Sequence, residues 1–157
     1  VGTVQDLGIT DINNMGAAMA PAAAKTLCQF FSDTATRPED YDMILTGDLG
    51  FVGSRLLERL MQAEGYPMAK LHNDCGLMIY DRKKQDVHAG GSGCGCAASV
   101  LCSFILPQIA CQRLKNVLFL ATGALMSPTS TQQGESIPGI AHLVYLSSTP
   151  NPKEVIC

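Results

Sequence analysis

Tyr41-Asp42-Met43-Ile44-Leu45-Thr46-Gly47-Asp48-Leu49-Gly50 decides the fold. Tyr41 to Thr46 reads as a short buried strand. The glycines that follow turn it into a helix over residues 51–64. That helix places Val52, Leu56, Leu57, Leu60 and Met61 on one face, and Gly65 is a fitting terminator. A strand that feeds directly into a helix is the building unit of α/β folds.

The flanks extend the pattern. Upstream, residues 11–14 supply N-cap candidates for a helix that starts near Met15 and reaches Leu27, Phe30 and Phe31. Small residues line its packing face, and Pro21 falls early enough to be carried in its first turns. Residues 32–40 form a polar loop. Downstream, 66–73 is a loop and 75–80 a strand. A third helix is expected from about Cys96 to Leu114, buried on most faces, with Pro107 bending it or marking a local adjustment. Val117-Leu118-Phe119-Leu120-Ala121 is the continuous apolar run of a central strand within residues 116–122. Residues 123–136 are a polar loop, and 140–146 a last strand that pairs antiparallel with its predecessor. Residues 149–157 form a peripheral tail. The fold class is α/β, a mixed β-sheet packed by helices, with no strand before the first helix. No repeat or linker divides residues 1–157, which form a single domain.

Composition excludes several classes. Nearly half of the 157 residues are apolar, which excludes disorder. The net charge is -3, and the longest basic run is Arg82-Lys83-Lys84, read as a solvated loop, so no nucleic-acid footprint exists. The longest apolar stretches, 17–24 and 117–124, fall short of the roughly 20 residues of a membrane span. No signal peptide is visible, and a first residue of Val rather than Met suggests a fragment. Seven cysteines is an odd number without the spacing of a secreted framework, so reduced thiols are expected. Cys28, Cys102 and Cys111 fall in apolar helical patterns, as small core residues do.

Candidate sites centre on residues 85–99 and on Gly90-Gly91-Ser92-Gly93-Cys94-Gly95-Cys96-Ala97-Ala98-Ser99 within them. Four glycines in six residues let a backbone come close to something. The turn opens a helix, whose free N–H groups favour a carboxylate or phosphate and would lower the pKa of Cys94. Tight packing against a neighbouring backbone explains the same glycines equally well. The turn is neither a Walker loop nor a dinucleotide fingerprint. Cys94 and Cys96, with Cys75 and a histidine, form only one short ligand pair, which disfavours zinc. Asp48 follows a strand and precedes a helix, where α/β proteins place ligands, although capping of that helix is the simpler role. His142 lies in the last strand, where a satisfied groove or core histidine is the usual reading. His72 and His88 read as loop residues.

Several motifs, taken in order, carry a resemblance. They are Asn13-Asn14-Met15-Gly16-Ala17-Ala18-Met19-Ala20-Pro21, residues 42–50, Asp74-Cys75-Gly76-Leu77-Met78-Ile79-Tyr80-Asp81, residues 90–98, Ala121-Thr122-Gly123-Ala124-Leu125, and Gln132-Gln133-Gly134-Glu135-Ser136-Ile137-Pro138-Gly139-Ile140-Ala141-His142. Over nearly the whole chain the sequence resembles the stage V sporulation protein AD family of spore-forming bacteria. More distantly it is similar to the second half of thiolases and ketoacyl-synthase condensing enzymes.

The resemblance implies a thiolase-like fold of two α/β halves in five αβαβα layers, this chain being the C-terminal half and the N-terminal half of the same protein its partner. It implies a non-enzymatic ligand-binding subunit of a spore membrane channel that binds dipicolinic acid, with calcium a candidate companion. No cofactor is expected. The ligand-binding candidates are Asp48, Ser92, Gly93, Cys94, Gly95 and His142. Further implied partners are the integral-membrane subunits of the same channel operon. Expression in the forespore cytoplasm and peripheral placement at the spore inner membrane follow from the same likeness. The alternative is an acyl-CoA or acyl-carrier condensing enzyme. Against it, the places of the condensing-enzyme His and Asn/His match Thr46-Gly47 and Gly91-Ser92, which carry no imidazole.

Overall fold

The computed structural model describes residues 1–148. The expected tail, 149–157, lies outside the described residues. The elements in chain order are α1 (Met15–Thr34), β1 (Met43–Thr46), α2 (Gly50–Ala63), β2 (His72–Asp74), α3 (Cys75–Met78), α4 (Cys94–Val100), α5 (Leu106–Ala110), β3 (Asn116–Ala124), α6 (Pro128–Gln132) and β4 (Gly139–Ser147). A π-helical stretch, Leu101–Ile105, joins α4 to α5.

The strands form one mixed sheet in the order β2-β1-β3-β4. β1 pairs parallel with both β2 and β3, while β3 and β4 are antiparallel. The mixed sheet, its helical cover and the antiparallel terminal pair agree with the sequence reading. Upstream of α1 the chain makes a single antiparallel bridge, Gln5 to Gly139, rather than a strand.

Two apolar layers sandwich the sheet. On one face Leu27 and Phe31 of α1 and Leu57 and Met61 of α2 pack on Ile44, Leu118, Leu120 and Ala141. Small residues let α1 and α2 come close. A Cβ on Gly16 would stand 2.6 Å from the Leu49 carbonyl oxygen. On the other face Cys96, Val100, Ile105 and Ile109 pack on Leu45 and Val117. Alternate residues of β3 thus serve opposite layers, as strand geometry requires.

The structure corrects several expectations. Val52 is half exposed because it points away from the seam that Leu57 and Met61 occupy. The expected strand at 75–80 lies instead at His72–Asp74, and its expected residues form α3. The strand was missed because His-Asn-Asp has no apolar alternation. The third helix begins at Cys94 and is exposed along one side, including Phe104 and Leu106. Cys102 and Cys111 lie on that exposed side, Cys28 is half-buried, and the buried thiols are Cys75 and Cys96.

The spacing of the buried residues explains the π-turn. Cys96 and Val100 are four apart, Val100 and Ile105 five, Ile105 and Ile109 four. A regular helix would bring Phe104 and Gln108 inward, and the wide turn absorbs the extra residue. It ends two residues before Pro107, which lacks the N–H a regular helix would need there.

Candidate functional site

The C-terminal ends of β1 and β3 meet where the sheet order changes direction, the usual ligand position in open α/β sheets. Asp48 follows β1 there. Its Oδ2 accepts from the Gly93 N–H at 2.7 Å and the Ser92 hydroxyl at 3.2 Å, and its Oδ1 accepts from the Thr122 hydroxyl at 2.8 Å. The Asp48 N–H donates back to Thr122 Oγ1 at 3.1 Å. Asp48 therefore does not cap α2, the simpler role expected from sequence. It fastens the Gly/Cys turn to β3.

The glycines of that turn divide into two groups. Gly91 N–H donates to the Gly76 carbonyl at 2.7 Å, and a Cβ on Gly90 would fall 2.4 Å from the same oxygen. These two pack backbone on backbone. Gly93 has a φ of 90° and open space around it, and Gly95 also meets nothing within 4 Å. The packing reading of the turn thus holds for Gly90 and Gly91, while Gly93 and Gly95 make no such contact. Gly95→Ala is expected to gain roughly 0.5–1 kcal/mol in urea unfolding, because it sits in a helix with room for a methyl.

Beyond the turn lies a cleft of about 270 Å3 lined by Asp48, Gly93, Cys94, Ala97, Ala98, Leu101, Phe119, Ala121 and Thr122. The backbone N–H groups of Cys94 and Gly95 have no acceptor among the described residues. Cys94 is exposed, and its thiol has no hydrogen-bond partner there. Ser92 and Gly95 flank the cleft without lining it. His142 stands on β4 opposite Ala121 of β3, outside the lining, where its Nδ1 accepts from the Gly2 N–H at 3.1 Å. His88 is exposed in the loop before the turn. Of the six residues singled out from sequence, Asp48, Gly93 and Cys94 line the cleft.

A buried polar chain behind the cleft escaped the sequence reading. Asp74 is fully buried at the end of β2. Its Oδ2 accepts from the Leu49 N–H at 2.8 Å and the Thr46 hydroxyl at 2.6 Å, and its Oδ1 from the Gly50 N–H at 3.0 Å. Asp74 thus holds the start of α2. Thr46 Oγ1 lies 3.0 Å from His72 Nε2, whose Nδ1 lies 3.2 Å from Glu58. His72, expected in a loop, has a side chain only 1% exposed. Burial pushes the His72 pKa down and the Asp74 pKa up, against the opposing pull of their hydrogen-bond partners. Nothing in the spacing of His72 or Asp74 signals this network. Only the parallel pairing of β2 with β1 brings them to Thr46.

The pH consequence has a definite sign. A histidine whose folded pKa lies below its unfolded value binds fewer protons in the native state. Its stabilising contribution is present above pH 6.5 and is lost as pH falls from 6.5 through the lowered value. The His72 share of the unfolding free energy is expected to drop on acidification across that window while the raised Asp74 pKa works the other way, so the parent is expected to lose more stability than His72→Gln. Urea titrations at pH 7.5, about 6 and about 5 measure it.

The buried thiols are unreactive by environment. Burial first, then the Asp74 charge, pushes Cys75 up to about 12, and burial also raises Cys96. Among the described residues no group of three or more His, Cys, Asp or Glu side chains is placed to hold a metal ion. No helix there is long and apolar enough to cross a membrane.

The family model described as "Stage V sporulation protein AD (SpoVAD)" matches residues 1–147. The chain belongs to the stage V sporulation protein AD family. It is 54% identical over 142 residues to "Stage V sporulation protein AD" of Bacillus subtilis (strain 168). That match covers 90% of this chain and 42% of the relative, so the chain spans less than half the relative's length. The family assignment makes this a sporulation protein. The motifs that carried the resemblance are those that build the site: Thr46 at the end of β1 and Asp48 after it, Asp74 at the end of β2, and the Gly/Cys turn.

Proposed function

We propose that this chain is the C-terminal half of a thiolase-like, non-enzymatic subunit that binds dipicolinic acid for its passage into and out of the spore. The observation that carries the proposal is the cleft between the Gly/Cys turn and β3. It joins two unused backbone N–H groups, those of Cys94 and Gly95, to an apolar wall of Ala97, Ala98, Leu101, Phe119 and Ala121. A planar pyridine dicarboxylate has matching parts, a ring for the wall and a carboxylate for the N–H groups. The Asp48 carboxylate at the rim would repel a bare dianion. Calcium between ligand and rim removes that repulsion, so the calcium chelate is the preferred form.

Two features support binding over condensation chemistry. Cys94 has no imidazole in its cleft to take its proton. His72 is committed to Thr46 and Glu58, and His142 to Gly2. The exposed side of the helix from Cys94 to Ala110, with Phe104 and Leu106, is the surface we assign to the N-terminal half of the protein. Peripheral association with integral-membrane channel subunits at the spore inner membrane completes the proposal.

Calorimetry on the natural full-length protein tests it. Dipicolinate is expected to give saturable heat that strengthens with calcium. Cys94→Phe, which fills the cleft, is expected to weaken binding by about tenfold or more. Absence of heat, or unchanged affinity in Cys94→Phe, overturns the proposal. A thioester on Cys94 after incubation with acyl-CoA would instead favour the condensing enzyme.

A further inference from the structure

A second concave surface lies on the outer side of α2, away from the Gly/Cys cleft. It is a groove of about 520 Å3 between α2 and the segment from Leu77 to Lys83. Its cations are Arg55, Arg82 and Lys83, and its acids are Glu58 and Asp81. Both acids are already engaged. Glu58 faces His72 at 3.2 Å and Arg55 at 3.9 Å, and Asp81 pairs with Lys84 at 3.3 Å. Three cations against two acids leave the groove a small positive excess on a chain of net charge -3.

Two details distinguish it from an ordinary charged surface. The Arg82 guanidinium lies over the Phe51 ring at 4.3 Å, and the Arg55 guanidinium lies 5.7 Å from the same ring. Arg82 Nε donates to the His88 carbonyl at 3.0 Å, which fixes the group while leaving its outer N–H groups available. The run Arg82-Lys83-Lys84, read from sequence as a solvated loop, is therefore in part a built feature. The second detail is Ser54. It lines the groove, is 3% exposed, and its Oγ is buried without a hydrogen-bond partner. A buried hydroxyl left unpaired is unfavourable; its Oγ presents almost no surface to the groove, so a ligand atom pairs with it once the side chain turns outward.

We propose that this groove is a second ligand site, taking a phosphorylated heteroaromatic molecule of mononucleotide size. The guanidinium forks of Arg55 and Arg82 suit phosphate oxygens, and Ser54 supplies a further donor. The exposed ring of Tyr80 gives a planar base a surface to stack on. The volume falls in the range of small-molecule sites.

Adenosine monophosphate is the probe, titrated by calorimetry into the natural full-length protein at low salt. Saturable binding is expected, with adenosine alone and inorganic phosphate alone each weaker. Arg55→Ala and Arg82→Ala are each expected to lower affinity by about tenfold, through loss of charge-assisted hydrogen bonds. Ser54→Ala is expected to lower it about fivefold without lowering the melting temperature, since it removes an unpaired buried hydroxyl. Dipicolinate titrations of the same variants are expected to match the parent, which separates this site from the cleft. No saturable binding of adenosine monophosphate up to millimolar concentration overturns the proposal. So do Arg55 and Ser54 variants that bind it unchanged, or variants that lose both ligands together.

Discussion

Asp74→Ala is expected to lower the unfolding free energy by about 3–5 kcal/mol, the largest loss for any single polar side chain in the described structure. Three donors converge on that carboxylate: the Leu49 and Gly50 N–H groups and the Thr46 hydroxyl. All four groups are buried, so water cannot replace the lost acceptor without opening the structure. The damage falls where β1, β2 and the start of α2 join. Asp74→Asn keeps one oxygen but turns an NH2 group toward a donor, and is expected to cost about 1–3 kcal/mol. Urea unfolding of both variants beside the parent measures the difference. A loss below about 1 kcal/mol for Asp74→Ala would show that the three donors find other partners.

Gly90→Val is expected to cost about 2–5 kcal/mol, from two penalties that act together. Gly90 has a φ of 118°, which a β-branched residue adopts only under strain. A Cβ there would also fall 2.4 Å from the Gly76 carbonyl oxygen, which is backbone and has little freedom to withdraw. The expected result is release of the Gly/Cys turn from α3, seen as faster amide exchange at Gly91, whose N–H donates to Gly76. Dipicolinate affinity should fall with it, because the turn carries Gly93 and Cys94 into the cleft. Gly95→Ala, with no neighbour to meet, is the matched control.

The contrast between these glycines shows how far the sequence could be read. The density of glycine at 90–95 was visible, and so were the two explanations for it. Which glycine served which purpose depended on Gly76, fourteen residues upstream of Gly90, and no local pattern reveals that approach. α1 and α2 were legible because each commits an apolar face to one layer, which leaves a period in the sequence, and β1, β3 and β4 because they are apolar runs that serve both layers. β2 was not legible. It is a three-residue edge strand of His, Asn and Asp, held by hydrogen bonds rather than by apolar alternation. Asp48 was found for its position after a strand, but its partners Ser92, Gly93 and Thr122 lie 44 to 74 residues away. The helix from Cys94 to Ala110 misled in a different way. Its apolar composition suggests burial on most faces, yet Phe104 and Leu106 are left uncovered by the described residues.

The wide turn at Leu101–Ile105 has a consequence for how this helix can change over generations. Because it holds one surplus residue, loss of a residue among positions 101–104 would restore four-residue spacing between Val100 and the shortened chain's Ile. Both flanking halves would keep their seats on the sheet. Pro107 stands against that change, since its ring would then press on the carbonyl one turn back. Lineages that shorten this helix are therefore expected to give up the proline, and those that retain the proline to retain the extra residue.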